Sequence, residues 1–220
     1  MVPFPKDLNF IGRTDVLEAM QERFRNECNV ALAGIGGVGK SQIAIHYCYS
    51  YQVQFPQRHV FWIHAGSTTR IDEGYRNIAR GLSLPGWREP ATDIHQVVDD
   101  WLLSVDNGPW LLVVDSADDM SVFFAAEPDI PGTKPQPITV FLRRIAQSSH
   151  GSLIITTRDK RLGRRLLNGS QPVEVPLMND EDAKQLLRAR GAGSSPAEVD
   201  TQALRLGEHE FSIGHLEDLF

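Results

Sequence analysis

Apolar residues along this chain come in blocks, and each block carries its own period. Leu17, Met20 and Phe24 recur at intervals of three and four, which predicts a helix over 15–25. Asp15 followed by Glu18 has the spacing of a capping box at its start. CNVALAG at 28–34 predicts a short strand ending in glycine, and a helix follows over 40–51. VFWI at 60–63 predicts a second strand, after which Ile71, Tyr75, Ile78 and Leu82 line one face of an amphipathic helix. Ile94, Val97, Val98, Trp101, Leu102 and Val105 form the buried stripe of a helix over 93–105. WLLVVD at 110–115 is the strongest strand in the sequence. Pro128, Pro131, Pro135 and Pro137 make 120–137 mostly loop. A helix over 138–147, a strand SLIIT at 152–156, an edge strand VEV at 173–175 and helices over 180–190 and 196–206 complete the pattern. Helices alternate with strands that are continuously apolar, so both faces of the sheet are covered. That predicts an α/β fold, a doubly wound parallel sheet of five strands.

Composition narrows the class. The chain has 220 residues, 41% of them hydrophobic and 23% charged, the balance of an ordinary globular protein. Its net charge of −6 argues against indiscriminate nucleic-acid binding, which needs a basic footprint. Two cysteines, Cys28 and Cys48, cannot staple a scaffold, and a reducing compartment is expected. No signal-peptide core and no apolar stretch of membrane-spanning length is visible, so the expected location is the cytoplasm, with no membrane partner.

The candidate chemistry sits at two strand ends and one glycine turn. GIGGVGKS at 34–41 satisfies G-x-x-x-x-G-K-[ST] and lies between a predicted strand and a predicted helix. Gly34, Gly36, Gly37, Val38 and Gly39 present backbone N–H groups to phosphate oxygens, Lys40 pairs with the outer phosphates, and the Ser41 hydroxyl ligates Mg²⁺. Asp115 ends a core strand where an open α/β sheet puts its ligand crevice, and is the second expected metal ligand. GSLIITTRD at 151–159 brings Arg158 to the same end, where its fixed fork of donors suits a phosphate. Lys160, Arg161, Arg164 and Arg165 read as a solvated helix face.

FIGR at 10–13, GIGGVGKS, WLLVVDSADD and GSLIITTRD in this order resemble the NB-ARC family of STAND nucleotide-binding switches, in the branch found in fungal multidomain proteins. The resemblance covers about residues 8–206. It implies the sheet order 5-1-4-3-2, ATP/ADP and Mg²⁺ as cofactors, Ile11 and Arg13 near the adenine, Asp115 on Mg²⁺ and Arg158 as the γ-phosphate sensor. It divides the chain into a lead-in over 1–13, a nucleotide-binding domain over 14–190 and a C-terminal helix with a mobile tail over 191–220. Two departures matter. Ser116 stands where many relatives carry a second acid, and a hydroxyl is a poor general base, so at most slow ATP hydrolysis is expected. The adenine-packing G-L-P-L-A motif and the winged helix are absent, so the chain is expected to be a truncated module that holds ADP loosely.

The expected function is therefore the nucleotide-binding module of a signalling switch, with an adenine nucleotide as ligand and protein partners or self-association in a longer context. An active P-loop ATPase or phosphotransferase, and a non-enzymatic nucleotide-binding fragment, stay open as alternatives.

Overall fold

Continuous apolar runs become strands buried on both faces. In the computed structural model, which describes residues 2–124, 137–145, 147–148 and 150–190, the chain enters through helix α1 (Thr14–Asn26) and strand β1 (Asn29–Ala33), buried throughout. Helix α2 (Lys40–Gln54) follows the glycine turn, and strand β2 (His59–His64) leads into helices α3 (Thr68–Gly81) and α4 (Ile94–Leu103). Strand β3 (Trp110–Asp115), buried at every position, is followed by helices α5 (Met120–Phe123) and α6 (Pro137–Ile145). Strand β4 (Gly151–Thr157), helix α7 (Lys160–Leu166), strand β5 (Val173–Glu174) and helix α8 (Asp180–Ala189) close the described chain. The helix expected over 196–206 and the tail expected over 191–220 lie outside the described residues, as do 125–136.

Two local expectations need correction. The capping box of Asp15 and Glu18 does not open α1. The residue at its N-cap is Arg13, in the left-handed region with φ 61°, and no side chain caps the helix. The segment read as loop from 120 opens with helix α5, where Asp119 accepts the Ser121 amide at 2.8 Å and Val122 and Phe123 turn inward.

The strands pair in parallel in the order β2-β3-β4-β1-β5, the expected 5-1-4-3-2 taken from the opposite edge. Alternate residues face opposite layers. Leu112, Val114, Leu153 and Ile155 meet the inward residues of α3, α4, α6 and α7, whereas Leu111, Val113, Ile154 and Val30 meet α1 and α2. β1 lies between β4 and β5, so the turn after β1 opens beside the ends of β3 and β4, where a doubly wound sheet gathers its ligand groups.

Candidate functional site

The glycine turn joins β1 to α2 and ends on a residue no β-carbon favours. Gly39 holds φ 93° at the N-cap of α2, and no side chain satisfies that helix's first amides. By contrast α3, α4, α7 and α8 each carry a Ser, Asp or Asn cap that does so. Lys40 is buried, with only 8% of the residue exposed. Its Nζ donates to the carbonyls of Gly34 and Ile35, both at 2.8 Å, and so ties the start of the turn to its end. Burial lowers the ammonium's pKa, with Asp118 and Asp115 opposing that shift and Arg158 adding to it.

Asp115 is buried at the carboxyl end of β3. Its Oδ1 accepts the Ser41 hydroxyl at 2.7 Å and the Thr156 hydroxyl at 2.6 Å. The structure thus brings together the two expected Mg²⁺ ligands, contributed by residues 74 positions apart. Thr156 also accepts the Ser116 amide at 2.8 Å, so one hydroxyl fixes both the carboxylate and the turn leaving β3. Ser116 sits at φ 59°, which directs the chain sharply away from the strand. In the sequence Thr156 figures only as part of the strand that delivers Arg158. The available signal is its hydroxyl directly after the aliphatic run 153–155, one position past the Val114–Ile155 pair.

Arg158 and Asp118 form the next contact outward. Asp118 Oδ1 accepts the Arg158 amide at 2.7 Å, and its Oδ2 lies 3.1 Å from Nε of the same residue. The guanidinium extends over the glycine turn, where a β-carbon on Gly36 would lie 3.2 Å from its central carbon. Gly36 therefore gives the guanidinium its seat. Asp118 is engaged with Arg158, and Asp119 caps α5.

Arg13 is buried, and it donates to the carbonyls of Pro176 at 2.6 Å and Val38 at 2.5 Å. It fastens the lead-in to the glycine turn and to the exit from β5. Burial depresses its pKa, while Asp15 and Asp182 counteract. Ile11 is half-buried beside it, and Phe10 stacks on His46 at 4.0 Å between ring centroids.

These residues fit a magnesium nucleotide by their chemistry. The Ser41 and Asp115 oxygens are the hard donors Mg²⁺ prefers, and the metal usually binds through one or two such groups plus phosphates. Among the described residues no group of three or more His, Cys, Asp or Glu is arranged to hold a metal by itself. Lys40, Arg158 and the uncapped amides of α2 supply positive potential beside them.

Comparison with known proteins agrees with this geometry. The family model of the NACHT domain matches residues 29–192. A nucleotide-binding leucine-rich repeat (NLR)-like protein of Hyaloscypha variabilis is 31% identical over 218 residues, an alignment that covers 94% of this chain and 21% of that protein. The chain thus spans about a fifth of that relative's length. Among solved structures, Cdc6p from Pyrobaculum aerophilum superposes with a TM-score of 0.62 at 18% identity, over 92% of this chain and 56% of its own. A STAND protein with a tetratricopeptide repeat sensor from Pyrococcus horikoshii gives 0.50 at 18% identity, over 98% of this chain and 32% of its own. At such identities these two likenesses speak for the P-loop NTPase fold. The resemblance to NB-ARC holds at the level of the STAND NTPases, and the model that matches is NACHT.

Proposed function

This chain belongs to the NACHT domain family of STAND NTPases, and on that premise we propose that it is the ATP/ADP-binding module of a signal-transduction switch. One observation carries the reading: the glycine turn, Lys40, Ser41, Asp115 and Arg158 converge at one end of the sheet from three separate segments. The backbone of 34–39 and Lys40 hold the phosphates in this proposal. Ser41 and Asp115 hold Mg²⁺, which when bound neutralises phosphate charge. Arg158 reads the γ-phosphate, and Ile11 and Arg13 border the adenine, an assignment shared with the NB-ARC branch. ATP and ADP differ by one phosphate, and a switch requires contacts made with that phosphate in one state only.

Hydrolysis is slow at best in this reading, because Ser116 is a weak base and Asp118 is committed to Arg158. In this reading the module serves cytoplasmic immune-type or self/non-self signalling, with protein partners or self-association supplied by a longer context. The reading includes neither nucleic acid nor membrane as a partner. No described helix is long and apolar enough to cross a membrane.

The test is titration calorimetry with ATP and ADP, each with and without Mg²⁺, on the protein and on Arg158→Ala. The proposal expects tighter ATP binding with Mg²⁺ and a loss in the variant that is larger for ATP than for ADP. Equal losses would remove Arg158 as the sensor, and no binding at all would overturn the module's function.

A further inference from the structure

The ion pair between Arg158 and Asp118 has a geometry that a mere surface contact does not require. Asp118 uses both carboxylate oxygens on one residue, Oδ1 on its backbone amide and Oδ2 on its side-chain Nε. The clamp joins the turn after β3 to the turn after β4, forty positions apart. It also holds the guanidinium over Gly36, where a side chain on the glycine turn would displace it. Asp118 and Arg158 both act electrostatically on Lys40, as Asp115 does, so two cations and two carboxylates share this end of the sheet. Their formal charges cancel.

Resting on the reading of Arg158 as γ-phosphate sensor, we infer that Asp118 is a positioning residue that sets the preference for ATP over ADP. Its carboxylate is the anion against which a γ-phosphate competes for the Arg158 guanidinium. With ADP the pair persists, because no third phosphate reaches for the fork. With ATP, part of the attraction between Arg158 and the γ-phosphate is offset by loosening Nε from Asp118. The Arg158 amide can stay on Oδ1 meanwhile, so the strand end keeps its place while the side chain changes partner. The pair is partly open to water, with side-chain exposures of 52% for Arg158 and 30% for Asp118. Screening keeps such a pair weak enough to exchange. Asp118 thus acts as a competitor built into the sensor.

The experiment is a double-mutant cycle on the full chain, with ATP and ADP dissociation constants measured at low and high salt. Asp118→Asn is isosteric and keeps an acceptor for the Arg158 amide. It is expected to raise the ADP-to-ATP ratio of dissociation constants roughly threefold to tenfold, less at high salt. In the Arg158→Ala background the same change should leave that ratio unaltered. Asp118→Ser, which also keeps an acceptor, serves if the first variant unfolds in a thermal melt. An unchanged or lowered ratio in an Asp118 variant overturns the inference, since the carboxylate would then only pre-organise the arginine. A raised ratio that persists without Arg158 also overturns it, because Asp118 would be repelling phosphate directly. If Arg158→Ala alone weakens both nucleotides equally, the sensor reading itself fails, an outcome distinct from either of these.

Discussion

The adjoining strands β3 and β4 end in opposite kinds of chemistry. At their amino ends Trp110 pairs with Gly151, and a β-carbon on that glycine would stand 2.2 Å from the indole ring. The indole is fully buried, its Nε1 donates to the Leu102 carbonyl at 2.8 Å, and His150 packs edge-on against it. Large meets small there, and the one polar atom is satisfied locally. At the carboxyl ends of the same strands Asp115 and Thr156 are equally buried but are polar, and the partners that satisfy them come from other segments. A buried carboxylate contributes little stability by itself, because desolvation offsets its attractions. The contrast teaches that one end of the ladder closes on itself, whereas the other gathers the polar groups on which the proposed nucleotide site draws.

Breaking the ligand end should have the largest effect on binding. Lys40→Ala removes a cation that also ties the Gly34 and Ile35 carbonyls, so phosphate attraction and turn geometry are lost together. Charge-assisted contacts of this kind are worth roughly 1.5–3 kcal/mol, which corresponds to about a ten- to hundredfold loss of ATP affinity by calorimetry. Because the lysine is buried, a small loss of thermal stability should accompany it. Undiminished affinity would mean that the turn after β1 does not grip phosphate.

The opposite end should respond in the opposite way. Gly151→Ala drives a methyl group into the Trp110 ring, and overpacking a tight core costs about 1–3 kcal/mol. Chemical denaturation should report that loss, while the ATP affinity of the folded protein stays as it was. An affinity change as large as that of Lys40→Ala would show the two ends to be coupled, and the division between them would fail.

How far each end was legible in the sequence follows from the range of its interactions. The continuous apolar runs at 28–34, 60–63, 110–115 and 152–156 are local signals, and each lies on an observed strand. The strand order had no local signature and came from the resemblance alone. The basic run after Arg158 does form a helix face, with Arg161, Arg164 and Arg165 outward and Leu162 and Leu166 inward. GIGGVGKS was legible because its chemistry is contained in eight consecutive residues. The burial of Lys40, the hold of Thr156 on Asp115 and the pairing of Asp118 with Arg158 were not legible, since each depends on how separate segments meet. Arg13 gave a similar surprise: its partners are main-chain carbonyls, which no side-chain pattern announces.

Thr156 offers a sharper cut within the ligand end. Thr156→Val keeps the shape and removes the hydroxyl, leaving Asp115 without one donor and the Ser116 amide without its acceptor. Leaving buried polar groups unpaired costs about 1–3 kcal/mol in general. Part of that cost should appear as weaker Mg²⁺ dependence of nucleotide binding, roughly threefold, because the carboxylate is no longer aimed. Thr156→Ser should restore it. A stability loss with unchanged Mg²⁺ dependence would make Thr156 a purely structural residue.

The smallest effect concerns a carboxylate that is sequestered yet belongs to neither end. Asp99, half-buried on α4, accepts the Tyr75 hydroxyl of α3 at 3.1 Å, and His95 stacks on that phenol while pairing with Asp72 at 2.6 Å. Burial pushes the Asp99 carboxyl up from 3.8 to about 7, against the lowering pull of Tyr75 and Arg144, with Asp100 and Asp93 pushing the same way as burial. The folded state therefore binds more protons at this site than the unfolded state between pH 4 and pH 7. Its contribution to stability falls as pH rises through that window and stays low above it. Asp99→Asn should remove this dependence, matching the parent near pH 4 and exceeding its stability at pH 8. The gain is on the order of 1 kcal/mol, since water still reaches the group and screens it. Nucleotide affinity should not move, because no phosphate-binding residue touches this cluster. A pH-independent stability difference would mean that folding does not shift the Asp99 carboxyl, and an altered ATP affinity would extend the ligand end of the sheet into the α3–α4 layer.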